Sequence, residues 1–158
     1  TLNLYVTFVG DIYDKYDLEY KDKLLKFINN YNLNSKVAFV GYKENVKRYI
    51  IDSDVVIHCP IIDDALPRVI LESFALKKIV IGTKVGGIPE IIQDNYNGFL
   101  AENNSSSLAE KIFFVYNNLS KLDYIKSNAY KTVSEKFNID RQLDTLQRIF
   151  EGLIYAAK

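Results

Sequence analysis

Asp54-Val55-Val56-Ile57-His58-Cys59, Pro67-Arg68-Val69-Ile70-Leu71-Glu72-Ser73-Phe74-Ala75 and Ile79-Val80-Ile81-Gly82-Thr83 read in that order as strand, helix and strand. The first and third runs are short, β-branched and continuously apolar, the pattern of strands covered on both faces of a parallel sheet. The middle run sets Val69, Ile70, Leu71, Phe74 and Ala75 on one helical stripe. A helix between two such strands is a crossover, and a crossover joins parallel neighbours.

The same alternation extends in both directions. Upstream, Leu2 to Val9 and Lys36 to Gly41 repeat the strand pattern, separated by a helical stripe at Leu24, Leu25, Phe27, Ile28 and Tyr31. Val46, Tyr49 and Ile50 form a shorter stripe before Asp54. Downstream, the turn-like Asp94-Asn95-Tyr96-Asn97 leads into a last strand at Gly98 to Ala101. The fold class is therefore α/β: a Rossmann-like open parallel sheet of about five strands with flanking helices. After Asn103-Asn104-Ser105 no further strand is expected. Leu108 to Leu119, Leu122 to Phe137 and Ile139 to Ala157 are helical, which makes 106–158 a helical tail. Leu143, Leu146, Ile149, Phe150, Leu153 and Ile154 give its last helix an apolar face broader than a lone domain would cover.

The chain has 158 residues, 48% hydrophobic and 25% charged, enough for one core, so 1–158 is taken as a single domain. Twenty basic and twenty acidic residues balance to zero. No basic stripe interleaved with aromatics appears, which argues against a nucleic-acid partner. The single cysteine, Cys59, excludes an internal disulfide and points to a reducing compartment, with a small apolar packing role as its simplest use. No run approaches the roughly 18 apolar residues that span a bilayer, and no leader pattern is present. A cytoplasmic location follows, with attachment of the full-length protein to the inner face of the membrane left open. The chain starts at Thr1 and enters a strand at once, which suggests a piece of a longer protein.

In open α/β sheets ligands gather beyond the carboxyl ends of the strands. That selects Gly10-Asp11, Gly41-Tyr42, Pro60 to Pro67 and Thr83 to Glu90. Pro67 fits the first position of a helix, where its missing N–H is no loss. The N–H groups of Arg68 and Val69 are then free to face an anion, and the helix dipole favours negative charge there. Glu72 lies about 7 Å further along at about 1.5 Å per residue. A diphosphate at the helix mouth would bring its ribose to this carboxylate, while Asp64 would lie on the other side of the phosphates. Val85-Gly86-Gly87-Ile88-Pro89-Glu90 supplies a second loop, whose glycines permit close backbone approach to a ligand.

Plainer readings stand beside these. Asp63 and Asp64 serve equally well as turn or N-cap residues, Arg68 as a solvated first-turn residue, and the Gly-Gly turn as an ordinary strand-to-helix connection. His58, the only histidine, reads as a strand residue near the cleft. No second His or Cys pair stands at metal-ligand spacing, and no nucleophile triad, Walker loop or dinucleotide fingerprint is present, so neither a metal nor a cofactor is expected.

In their order, Val9-Gly10, Lys36 to Gly41, Asp54 to Pro60, Asp64 to Ser73, Val85 to Glu90 and Asn97 to Leu100 resemble the C-terminal domain of the retaining group 1 glycosyltransferases of the GT-B fold. The likeness covers roughly residues 3–118. It implies a donor-binding domain whose substrate is a UDP-, GDP- or ADP-sugar. The family's two glutamates, separated by seven intervening residues, correspond to Asp64 and Glu72. By resemblance Glu72 binds the ribose hydroxyls and Asp64 contacts the donor sugar, the nearest approach to a catalytic role in this chain. The N–H groups of Leu66, Arg68 and Val69 face the diphosphate, the residues after Gly41, Tyr42 above all, resemble the base-binding segment, and Gly86, Gly87 and Glu90 wall the donor, with Gly10 at the neighbouring strand end.

Two departures bear on the sugar. Asp64 is one methylene shorter than the usual Glu, and Ala-Leu-Pro stands where many members have Gly-Phe-Gly, which removes an N–H at Pro67. Asp11 also stands where many members continue with glycine. The family's phosphate-neutralising Arg and Lys precede the point where this chain begins. Its implied partners are therefore a missing N-terminal domain, a nucleotide sugar and a glycan or lipid-linked acceptor, as in polysaccharide biosynthesis. The piece alone is expected to bind weakly and catalyse nothing. Two rivals share the α/β sheet: a GT-B nucleotide-sugar epimerase, and a non-catalytic receiver-like module. A receiver needs an aspartate at the end of its third strand, where this chain has His58-Cys59-Pro60.

Overall fold

The computed structural model describes residues 3–11 and 15–156. The expected strand start at Leu2 and helix end at Ala157 lie outside them. Strand and helix alternate as β1 (Val6–Phe8), α1 (Lys15–Asn30), β2 (Val37–Phe39), α2 (Lys47–Asp52), β3 (Val55–His58), α3 (Arg68–Ala75), β4 (Ile79–Thr83), α4 (Ile88–Ile91) and β5 (Phe99–Ala101). The helices α5 (Ser105–Asn118), α6 (Asp123–Lys136) and α7 (Ile139–Ala156) follow. All five expected strands and the three tail helices are present; β4 matches its apolar run, β3 and β5 are two and one residues shorter, and β1 and β2 are shorter by three or more.

The five strands do not make one sheet. β1 and β2 form a parallel pair, and β3, β4 and β5 form a parallel three-stranded sheet with β4 in the middle. The chain correspondingly divides into two compact units, Thr1–Tyr49 and Ile50–Lys158.

In the first unit Val6, Thr7 and Phe8 pair with Val37, Ala38 and Phe39, and the Phe8 and Phe39 rings stack 4.8 Å apart. Burial on both faces, expected of β1 from its unbroken apolar run, is not observed: Val6 is 42% and Phe8 44% exposed. Past the strand ends, the Gly10 N–H donates to the Gly41 carbonyl at 3.0 Å, so both glycines share the carboxyl edge of this pair.

The second unit holds most of the core. β4 is buried at every position, and its side chains alternate between two clusters, as strand geometry requires. Val80 joins Ile70 and Phe74 of α3, Ile88 and Ile91 of α4, and Ala129 of α6. Ile79 and Ile81 join Phe99, Val115 of α5 and Ile125 of α6 on the opposite face. This double cover is why the run reads as continuously apolar.

Two polar side chains of this unit are tied down, whereas the buried Thr83 Oγ1 has no hydrogen-bond partner among the described residues. Asn97, 3% exposed, donates from Nδ2 to the Ile91 carbonyl and to Thr132 Oγ1, and its Oδ1 accepts from the Gln93 N–H. Lys78 donates to the carbonyls of Ile51 and Ser53, placing a cation where α2 ends and helix carbonyls are unpaired. At the far end of the chain α7 keeps the apolar face its sequence showed, with Leu143, Leu146, Ile149, Phe150, Leu153 and Ile154 all about half exposed or more. Among the described residues no helix is long and apolar enough to cross a membrane.

Candidate functional site

At the carboxyl end of β3 the chain leaves the sheet through Pro60 to Leu66 and re-enters regular structure at α3. Pro67 is not the first helical residue, as its fixed φ suggested, but the N-cap before it, with φ −68 and ψ 105. The extended ψ explains the offset. Proline sets φ alone, and here the chain turns into the helix only at Arg68. Pro67 has no side chain able to cap, and the Ile70 N–H closes on its carbonyl at 3.1 Å. The N–H groups of Arg68 and Val69 precede that first helical bond, as the anion reading requires.

The buried face of α3 carries Ile70, Ser73 and Phe74. Ser73 satisfies its hydroxyl on the Val69 carbonyl at 2.6 Å. That face fixes the helix on the sheet and turns Glu72 outward, where it is exposed one turn past the mouth. Leu66 and Arg68 are also exposed at the mouth, and Val69 is half-buried. Thus α3 presents two N–H groups that make no bond among the described residues, with the Arg68 guanidinium and the Glu72 carboxylate on exposed positions of the same short helix.

The second loop meets the first directly. Gly87 N–H donates to the Asp64 carbonyl at 2.9 Å. Gly86 has φ +52, and a Cβ built there would lie 2.5 Å from the Asp64 carbonyl oxygen and 2.7 Å from its nitrogen. A Cβ on Gly87 would run into the Ala65 carbonyl. The close approach for which the two glycines were singled out is therefore made by the chain's own backbone. Glycine is needed here so that one loop can sit on the other. Pro89 lies in the first turn of α4, with Gly87 as N-cap, and Glu90 on the same helix is exposed.

One neighbour of Asp64 was not legible in its surroundings in sequence. Its Oδ2 lies 3.3 Å from Nε2 of His58, with the two side chains 39% and 24% exposed. The Nε2 atom is closed off from solvent, yet among the described residues no group forms a hydrogen bond with it. The pair is a close polar contact and not a formed hydrogen bond, since such bonds weaken steeply off axis. Cys59, next along the chain, is at the surface, but its half-buried thiol is pushed above its ordinary pKa by desolvation.

The structure brings Asp64, Gly86 and Gly87 into contact and sets Leu66, Arg68, Val69 and Glu72 on the adjoining helix mouth. Gly10 shares the edge of the first unit with Gly41, and Tyr42 follows Gly41 with 63% exposure. Two grooves lie away from this mouth. One of about 670 Å³ runs along Glu135, Lys136 and the first half of α7, and one of about 420 Å³ lies between Glu90 and Lys131. Asp64 and Glu72 line neither of them.

The profile of the glycosyl transferases group 1 family matches residues 1–132. The chain belongs to the group 1 glycosyltransferases. An uncharacterised glycosyltransferase of Methanocaldococcus jannaschii is 30% identical to this glycosyltransferase chain over 158 residues, covering 96% of it and 44% of the relative. The N-acetyl-alpha-D-glucosaminyl L-malate synthase of Bacillus anthracis is 26% identical over 132 residues, 83% of this chain and 34% of that one. Among solved structures, Anabaena HepE in complex with UDP superposes with a TM-score of 0.84 at 27% identity, over 96% of this chain and 41% of HepE. A glycosyltransferase from Rickettsia africae gives 0.86 at 30% identity, over 96% and 40%. The α/β architecture with parallel strands and flanking helices is thus that of the GT-B glycosyltransferases. The chain spans less than half the length of each of these proteins.

Proposed function

We propose that this chain is the C-terminal, donor-binding domain of a glycosyltransferase that moves a sugar from a nucleoside diphosphate to a hydroxyl acceptor with retention. The observation that carries the reading is the mouth of α3. The N–H groups of Arg68 and Val69 precede its first internal bond, and Glu72 is exposed one turn along. A diphosphate at such a terminus gains aligned N–H donors and the helix dipole. Its ribose then reaches the Glu72 carboxylate, whose two oxygens accept from adjacent hydroxyls. HepE has been solved with UDP and with UDP-glucose, which supports a nucleotide sugar as the ligand class here.

In this reading the departing diphosphate is the group that gains charge in the transition state, and preorganised donors at the α3 mouth stabilise it. Arg68 adds a cation at the rim. Asp64 contacts the sugar from the opposite side of the phosphates, Gly86 and Gly87 hold the loop that carries it, and Glu90 borders the donor. The donor is a UDP-, GDP- or ADP-sugar and the acceptor a glycan or lipid-linked hydroxyl at the cytoplasmic face of the membrane. An N-terminal domain completes the acceptor side.

The test is an NMR titration of the 158-residue chain with UDP, GDP and ADP. Saturable shifts centred on residues 64–72 are expected for at least one nucleotide. Shifts confined to residues 120–156, or none at millimolar ligand, would remove the basis of the assignment. Retention is read separately, from the anomeric configuration of the product made by the full-length protein.

A further inference from the structure

We infer that His58 is a positioning residue for the sugar-contacting carboxylate of Asp64, an inference that rests on the donor-binding reading above. Asp64 is held at its backbone, because its carbonyl accepts from the Gly87 N–H at 2.9 Å and there is no room for a side chain at Gly86. Its carboxylate would still be free to rotate about two side-chain bonds. His58 limits that freedom. It ends β3, whose register with Gly82 of the buried β4 fixes the histidine backbone, and its Nε2 faces Asp64 Oδ2 at 3.3 Å.

Three features favour positioning over direct ligand binding. The Nε2 atom is shut off from solvent, so a ligand hydroxyl has no route to it while Asp64 is in place. It also lacks an aligned partner, and a shielded imidazole nitrogen gains most by bonding the nearest carboxylate. The present separation exceeds the roughly 2.7–2.9 Å of a charge-assisted bond, so a small rotation of Asp64 completes the contact. A carboxylate has two oxygens. With Oδ2 engaged by His58, Oδ1 is left to accept from the sugar. A shorter acid with fewer rotatable bonds, fixed from behind, sets the position of the sugar more rigidly than a free glutamate would.

The effect should therefore fall on the sugar and spare the nucleotide. Affinities of the full-length protein are measured for UDP, GDP and ADP and for their glucose conjugates. In His58→Leu, affinity for the preferred nucleotide alone stays within about twofold, while the extra affinity contributed by the sugar falls about tenfold, the equivalent of one lost hydrogen bond to a charged group. His58→Gln, which keeps a donor at a similar reach, restores most of that loss. Asp64→Ala loses the sugar contribution, and adding His58→Leu to it causes no further loss, because His58 acts only through Asp64.

Equal weakening of nucleotide and nucleotide sugar in His58→Leu would show a merely structural role and overturn the inference. So would independent, multiplying losses in the double variant, or an unchanged sugar contribution. Failure of the unaltered protein to bind any of the three nucleotides would instead overturn the donor-binding reading, and this inference with it. Normal nucleotide binding with an indifferent His58 would overturn the inference alone.

Discussion

Gly86→Ala probes the junction between the two loops. Two penalties combine. Gly86 has φ +52, a left-handed conformation that costs a residue with a Cβ about 1–2 kcal/mol. The new Cβ would also lie 2.5 Å from the Asp64 carbonyl oxygen and 2.7 Å from its nitrogen, where ordinary contact begins at 3.4 Å. Both obstructing atoms are backbone, so the Asp64 loop must retreat by about 0.9 Å to restore van der Waals separation. Overpacking of this kind costs about 1–3 kcal/mol. The total, about 2–5 kcal/mol, corresponds to a melting temperature lower by about 5–15 °C for a chain of this size. A displacement near 1 Å also moves a ligand group out of productive geometry, for which losses on the order of a hundredfold are typical. Calorimetry and nucleotide-sugar affinity on the same variant read both effects. A Gly86→Ala protein that melts with the parent and binds the nucleotide sugar equally well would refute the claim that the second loop clamps the first.

Asn97→Leu should destabilise the chain by about 2–4 kcal/mol in urea denaturation, because it removes three hydrogen bonds at a buried site and leaves the Gln93 N–H, the Ile91 carbonyl and Thr132 to find new partners. A change below about 0.5 kcal/mol would mean that the network contributes nothing. Cys59 should alkylate more slowly than free cysteine at pH 8, since burial raises its pKa and lowers the thiolate fraction, and urea should restore the rate. Because the folded chain holds this proton more tightly than the unfolded one, the contribution of Cys59 to stability is complete below the ordinary thiol range and is lost as pH rises through the folded value. A folded-state alkylation rate equal to that of free cysteine would contradict the desolvation.

The second unit was the more legible part of the fold because β4 and β5 are buried throughout, although β3, with Ile57 39% exposed, is not. Ile79 to Thr83 is a continuous apolar run in sequence, and every residue of β4 is buried. The same signal at Leu4 to Val9 was less reliable, since an apolar run does not specify what covers it, and Val6 and Phe8 are largely exposed. The helix mouth was legible from Pro67 and the stripe on α3, both local signals, though the ψ of Pro67 shifted the start by one residue. The contacts of Asp64 with His58, Gly86 and Gly87 were not. They join positions six to twenty-three residues apart through the ends of β3 and β4, and no periodicity encodes them. The only sequence trace was the glycine pair itself, whose partner could not be told apart from a ligand.

The central claim is that Glu72 holds the ribose of a nucleotide whose diphosphate sits at the α3 mouth. Its most direct test is the affinity of the full-length Glu72→Ala protein for the preferred nucleoside diphosphate and, separately, for inorganic pyrophosphate. Loss of hydrogen bonds to a carboxylate predicts nucleotide binding weaker by about ten- to a hundredfold, with pyrophosphate binding changed by no more than about twofold. Equal weakening of both ligands, or of neither, would contradict the assignment.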